Sequence, residues 1–220
     1  MIPKILNMPK APRNAEDIDA VKMQIIEAAK KIICKEGFTQ LSMRKLATEL
    51  GMTAANIYNY YSNKDEIYLG VQTAGFAMLQ ERFQEVERQF DSPLKVLEEF
   101  VRVYLDFGMN NPDYYEVMLG GNTPKYADYV GTDLEKVAFN EKQTALAAAR
   151  MTTRVIMNIT GISIKEATYR TILAWTTLHG VVSLHNNRVL QEMGTDLSRT
   201  IERICRDLLL PLKPQSDTLL

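Results

Sequence analysis

Ser42-Met43-Arg44-Lys45-Leu46-Ala47-Thr48-Glu49-Leu50-Gly51-Met52-Thr53-Ala54-Ala55-Asn56-Ile57-Tyr58-Asn59-Tyr60 holds two short helical patterns around a glycine turn. Ser42 opens the first pattern, which runs through Leu50, and Thr53 opens the second. Gly51-Met52-Thr53 joins them, and a glycine in a tight turn between two such helices marks a helix-turn-helix. Helices of two turns are marginal alone. These need packing, which Leu46, Leu50 and Ile57 supply against a preceding helix. The second helix is small and polar. Ala54 and Ala55 permit close approach to base edges, Asn56 matches adenine N6/N7, and Tyr58, Asn59 and Tyr60 suit phosphate oxygens. Arg44 is placed to reach a guanine or a phosphate. Lys64 lies at the start of the next helix, where it and free backbone N–H groups meet phosphate. The alternative for each residue is a plain solvated surface.

Around this motif nearly every segment has helical period, and no sustained alternation suggests a sheet. Asn14 precedes an amphipathic helix with Ile18, Val21, Ile25, Ala29, Ile32 and Ile33 on its apolar face, closed by Gly37. Ser62 and Asp65 form a capping-box pattern opening a helix to about Phe90. Ser92-Pro93 and Asn111-Pro112 each place Pro at N1, for helices of 93 to about 110 and 112 to about 119. Gly120-Gly121-Asn122-Thr123-Pro124 is irregular. Thr132 with Glu135 opens a helix to about Thr160, and Ser163 with Glu166 one to about Gln191. Thr195 opens the last, which Pro211 stops. The expected fold is all-α with about nine helices. Its parts are an N-terminal arm (1–13), a three-helix DNA-binding domain (14–62), a larger ligand-binding and dimerisation domain (63–212) and a tail (213–220).

The net charge of −1 over 220 residues excludes a polybasic nucleic-acid binder, so DNA contact must come from a local patch. Residues 1–70 carry 10 Lys+Arg against 8 Asp+Glu, a modest excess of the right sign. Cys34 and Cys205 read as buried thiols of a reducing compartment. No apolar run suits a membrane span and the N-terminus lacks a signal core, so a cytoplasmic protein without membrane contact is expected. His179 and His185 are six apart and share no metal-binding face. No phosphate loop or Ser-His-Asp set is visible, so neither an enzyme, a metal site nor a cofactor is expected. A helical enzyme scaffold and a protein-interaction module are the alternatives.

Residues 38–67 resemble the DNA-binding domain of the TetR family of bacterial repressors: Ser42-x-Arg44, Leu46-Ala47-x-x-Leu50-Gly51, capping Thr53, and Ile57-Tyr58-x-Tyr60-Tyr61-x-x-Lys64. Tyr60 stands for the usual His, Tyr61 for Phe and Ala55 for a frequent Gly, which leaves the fold intact and the target sequence open. By position, Ser42, Arg44, Thr53, Ala54, Ala55, Asn56, Tyr58, Asn59, Tyr60 and Lys64 fall where the family contacts DNA. Ala174-Trp175-Thr176-Thr177-Leu178-His179-Gly180-Val181-Val182 resembles the Trp-His-Gly motif of one TetR subgroup, as does Asn111–Met118. The resemblance implies a homodimeric repressor that a small-molecule effector releases from a double-stranded operator.

Trp175, Leu178 and Val182 share a helical face beside His179. The histidine is either a hydrogen-bonded core residue or a pocket wall with Trp175, Tyr104, Phe107, Tyr115, Met118, Met151 and Met157, a set suited to a largely apolar ligand. Arg150 and Arg154 would favour an anion if either points inward. Leu184, Leu197, Ile201, Ile204, Cys205 and Leu208 are expected at a twofold four-helix interface, or else cover the chain's own core. Such symmetry matches half-sites about 34–36 Å apart.

Overall fold

The computed structural model describes residues 15–120, 123–193 and 196–212, with the Leu197 side chain outside the description. Among the described residues there are no strands. Ten helices have five or more residues and one further turn has four. In chain order they are α1 (Ala15–Glu36), α2 (Met43–Glu49), α3 (Ala54–Tyr58), α4 (Lys64–Gln89), α5 (Pro93–Asn110), α6 (Pro112–Leu119), α7 (Glu135–Ala145), α8 (Ala147–Thr160), α9 (Ile164–Asn186), α10 (Val189–Glu192) and α11 (Leu197–Leu209). The expected arm and tail, Asn14, Thr195 and the Gly121-Asn122 pair lie outside the described residues.

The chain forms two compact units, Met1–Tyr68 and Leu69–Leu220, and α4 is continuous across the division. In the first unit α1 buries Ile25, Ile26, Ala29, Ile32 and Ile33, the i, i+3, i+4, i+7 stripe of an amphipathic helix. Leu46 and Ile57 are fully buried, so α2 and α3 are held by packing, while Leu50 is half-buried. A 3-10 turn, Phe38–Gln40, precedes α2.

In the second unit α5, α8 and α9 pack on one another. α5 passes close to α9 at Gly108, where an added Cβ would stand 2.6 Å from Val182 Cγ1. Phe83 stacks on Phe100 with centroids 4.1 Å apart, joining α4 to α5. α7 packs on the 3-10 turn Tyr126–Tyr129 through Leu134, Ala138 and Tyr129, which cluster with Leu69.

Four boundaries differ from expectation. The α4 cap is Asn63, whose Oδ1 accepts from Glu66 N at 2.9 Å, while Glu66 reaches back to Ser62 N and Oγ. The box is therefore shifted one residue from Ser62–Asp65, because Asn caps as well as Ser. The expected helix from Thr132 to Thr160 is two. Its first turn goes to Thr132 Oγ1 donating to Tyr129 O, and it breaks at Leu146 (φ −87°, ψ −3°). No Gly or Pro marks that break. It is where α7, packed on the 3-10 turn, gives way to α8, packed on α5 and α9. The α9 helix stops at Asn186, not Gln191, as Asn186 Nδ2 donates to Gly108 O and Asn187 Nδ2 to Ser183 O. Arg188 then adopts a left-handed φ of 62°. Finally, Asp196 caps α11 by accepting from Arg199 N at 3.1 Å, and a 3-10 turn, Leu210–Leu212, carries the chain through Pro211. Cys34 and Cys205 are not joined in a disulfide and are half-buried rather than buried.

Candidate nucleic-acid interface and ligand cavity

Local hydrogen bonds build the helix-turn-helix. Ser42 Oγ accepts from Lys45 N at 3.2 Å, and Thr53 Oγ1 accepts from Asn56 N at 3.2 Å. Both hydroxyls thereby satisfy helix N-termini and keep their own O–H for another acceptor. Between them α2 closes in a Schellman motif: Met52 N donates to Ala47 O at 2.8 Å and Gly51 N to Thr48 O at 3.3 Å. Gly51 takes φ 62°, where a side chain is strained.

The turn sends Ile57 into the core and the rest of α3 outward. Ser42, Arg44, Thr53, Ala55, Tyr58 and Asn59 are exposed, and Ala54, Asn56, Tyr60 and Lys64 are half-buried. Tyr58 is 56% exposed, a large aromatic held out on the surface. Lys64 Nζ sits 4.7 Å from the Phe38 ring centroid, and Phe38 contacts Tyr68 at 4.7 Å. The lysine stem is therefore pinned near the N-terminus of α4. Lys45, which the sequence did not single out, is engaged by Glu36, whose carboxyl it holds below the usual carboxylate range. Tyr61 stands at the position of the family Phe, and burial pushes its phenol up to about 12.

The second unit contains an apolar cavity of about 70 Å3. Tyr104, Tyr115, Met118 and Trp175 line it. Phe107 and Met151 are buried elsewhere in the core, Phe107 with Arg82 over its ring at 5.6 Å. His179 stands behind Tyr115: their rings stack with centroids 5.6 Å apart, and Nδ1 lies 2.8 Å from the Tyr115 hydroxyl. The Tyr115 hydroxyl is 2.9 Å from that of Tyr104, which accepts from Trp175 Nε1 at 2.8 Å. Burial pushes Tyr104 up to about 12, and burial together with Tyr104 raises Tyr115 further, so both stay neutral. The sequence reading missed Phe76, Leu79 and Phe83 of α4 and Leu209 and Leu212 at the C-terminal end, all of which line the cavity. Their apolar spacing was visible, but not which side of the stripe meets a void. Arg150 and Arg154 are exposed, donating to Gln143 O and Glu87.

Leu208 also lines the cavity, so it faces its own chain. Ile201, Ile204 and Cys205 are half-buried on α11, which packs partly on α5, while Leu184 is 43% exposed. The broad exposed apolar stripe is on α9: Tyr169, Ile172, Leu173 and Leu184 share one side, 49–59% exposed for the first three. Gly180 lies on that side with open space beyond its Cα.

A capped helix-turn-helix with an outward polar helix, and a separate helical unit around an apolar cavity, define a DNA-binding regulator with a second, helical domain. Residues 25–71 match the model "Bacterial regulatory proteins, tetR family", and residues 97–208 match "Tetracyclin repressor-like, C-terminal domain". The chain belongs to the TetR family of transcriptional regulators. An uncharacterized helix-turn-helix-type transcriptional regulator of Haemophilus influenzae is 33% identical over 81 residues, 37% of this chain and 42% of the relative. The chain thus aligns with less than half of that relative's length. Among solved structures, the regulatory protein SCO4313 superposes with a TM-score of 0.72 at 18% identity, over 91% of this chain and 100% of that one. The FadR regulator of Bacillus subtilis in complex with stearoyl-CoA gives a TM-score of 0.63 at 16% identity, over 85% and 97%. At these identities the likeness is one of fold.

Proposed function

We propose that this chain is a cytoplasmic repressor, not an enzyme, that binds a palindromic operator as a homodimer and releases it when a small, largely apolar molecule enters the second unit. The observation that carries DNA binding is the outward face of α3, where Tyr58 and the C-cap Asn59 are exposed and Asn56 is half-buried, just after the Thr53-capped N-terminus. Ser42, Arg44 and Lys64 flank this face, giving phosphate contacts that fix register and a few base-edge contacts that read sequence. No helix among the described residues is long and apolar enough to cross a membrane.

Dimerisation rests on the α9 stripe of Tyr169, Ile172, Leu173 and Leu184. Its exposure in the single chain is costly in water, and Gly180 allows a second helix to approach closely. α11 supports it through Ile201, Ile204 and Cys205. The ligand signal passes through α4. Met118 both lines the cavity and abuts α4, since a Cβ on Gly75 would fall 2.4 Å from its Sδ. Gln72 Nε2 also donates to Val117 O at 3.2 Å, tying α4 to α6. A ligand that displaces Met118 acts on the helix whose first turn carries Lys64. It changes DNA affinity only in so far as it binds the two states differently.

Selection of bound fragments from the source genome by the purified full chain tests this reading. Recovery of a palindromic site, bound by a dimer, is expected. Fragments enriched without a shared site overturn sequence-specific regulation.

A further inference from the structure

Three aromatic and two threonine side chains bring polar groups to the cavity wall: Tyr104, Tyr115, Trp175, Thr152 and Thr171. Each is turned to a protein partner. Trp175 Nε1–H donates to the Tyr104 oxygen at 2.8 Å, and the Tyr104 and Tyr115 hydroxyls are 2.9 Å apart. With His179 Nδ1 accepting from Tyr115, the series runs Trp175 to Tyr104 to Tyr115 to His179. Every donor in it is then used, and both phenol oxygens already accept. Thr152 and Thr171 donate to the carbonyls of Ala148 and Ala167, one turn back on their own helices, each at 2.9 Å.

The rest of the wall is carbon. Phe76 and Leu79 of α4, Phe100 of α5, Leu178 of α9 and Leu209 and Leu212 at the C-terminal end supply much of it, and the surface facing the void is almost wholly apolar. No charged side chain among the described residues lines it, and Arg150 and Arg154 of α8 are engaged at the surface. A buried water needs about two to four polar partners, so an apolar void of this kind stays dry. A ligand hydroxyl or carbonyl would lose its bonds to water on entry and gain none. A carboxylate would lose its hydration with no cation in return. We infer that the effector is a small hydrocarbon, a single ring or a short chain with no hydrogen-bonding or charged group. This rests on the reading that the cavity is the effector site. Its volume of about 70 Å3 is about half that of an engineered apolar cavity of about 150 Å3 that admits benzene. Met118 on the wall is unbranched and adapts its shape, which gives a ring room to enter.

Trp175 is the chain's single tryptophan and forms part of the wall, so its emission reports what occupies the cavity. A bromine atom held against the indole quenches that emission. Para-bromotoluene, para-bromophenol and para-bromobenzoate are similar in shape and differ at one end, and at about pH 7 the phenol is neutral and the acid ionised. Titrated into the full-length protein, bromotoluene is expected to quench saturably, at concentrations about tenfold or more below the phenol, with the benzoate weaker still. Excess toluene should restore the emission. Ala149→Leu, which fills part of the void, should weaken the quenching by bromotoluene. If that variant fails to fold by circular dichroism, the toluene competition in the unaltered protein decides alone. Bromophenol or bromobenzoate quenching at as low a concentration as bromotoluene, and reversed by toluene, overturns the hydrocarbon class and leaves the effector-site reading standing. If none of the three gives quenching that toluene reverses, the effector-site reading falls and the ligand class with it.

Discussion

The Tyr115 hydroxyl and His179 Nδ1 lie 2.8 Å apart across two helices, with their rings stacked. This bond ends a chain that starts at Trp175 and runs through Tyr104, and every donor in it finds an acceptor when the histidine Nδ1 accepts. His179→Phe keeps ring volume and removes that acceptor, leaving the Tyr115 proton unsatisfied. We expect a loss of about 1–3 kcal/mol in unfolding free energy. Urea unfolding of the variant reads it, and an unchanged midpoint would show that Tyr115 donates elsewhere.

Alkaline pH should attack the same chain. Unfolded, both phenols lose their protons near 10, but burial holds Tyr104 to about 12 and Tyr115 higher in the folded state. Between these values the folded protein keeps protons that the unfolded chain has released, so stability falls as pH rises. Stability should be flat up to about pH 10 and decline from about pH 10 to about 12. Tyrosinate absorbance of the native protein should lag behind that of the urea-unfolded chain over the same range.

Lys64→Ala and Tyr58→Ala are expected to weaken binding to every duplex alike. Each should reduce the slope of log affinity against log salt, by about 1 for the lysine. Fluorescence anisotropy at several salt concentrations measures this. An unchanged slope for Lys64→Ala would mean that its place over Phe38 is structural only. Arg44→Ala should instead cost about 1–3 kcal/mol at one operator position if the arginine reads a base. A uniform loss across positions assigns it to the backbone.

Gly108 and Gly180 should respond oppositely to alanine. At Gly108 the new methyl meets Val182 Cγ1 at 2.6 Å between packed helices, so overpacking of about 1–3 kcal/mol is expected. At Gly180 it meets open space within the chain, and alanine favours the helix by roughly 0.5–1 kcal/mol. If the α9 stripe is the dimer interface, Gly180→Ala weakens dimerisation, and Ile172→Asp or Leu173→Asp abolishes it. Sedimentation of each variant decides, and a dimer unaffected by either charge places the interface elsewhere.

Sequence alone determined what depends on neighbours within a few positions. Ser42, Thr53 and Ser163 cap helices because a side-chain oxygen reaches an N–H three residues on, and Gly51 and Gly161 close helices because only glycine turns left-handed without strain. The polar positions of α3 could be named for the same reason, since a two-turn helix has one buried face and Ile57 takes it. Tertiary structure decided whatever required knowing the other side of an apolar stripe. The break at Leu146 has no local signal and follows from which partners α7 and α8 pack against. Phe107, Met151 and Met118 are alike in sequence, yet Met118 meets the cavity and the other two do not. Leu208 faces its own chain, while Tyr169, Ile172 and Leu173 face out. Periodicity places residues on one face of a helix, but which face meets a neighbour, a void or water is set by elements distant in the chain.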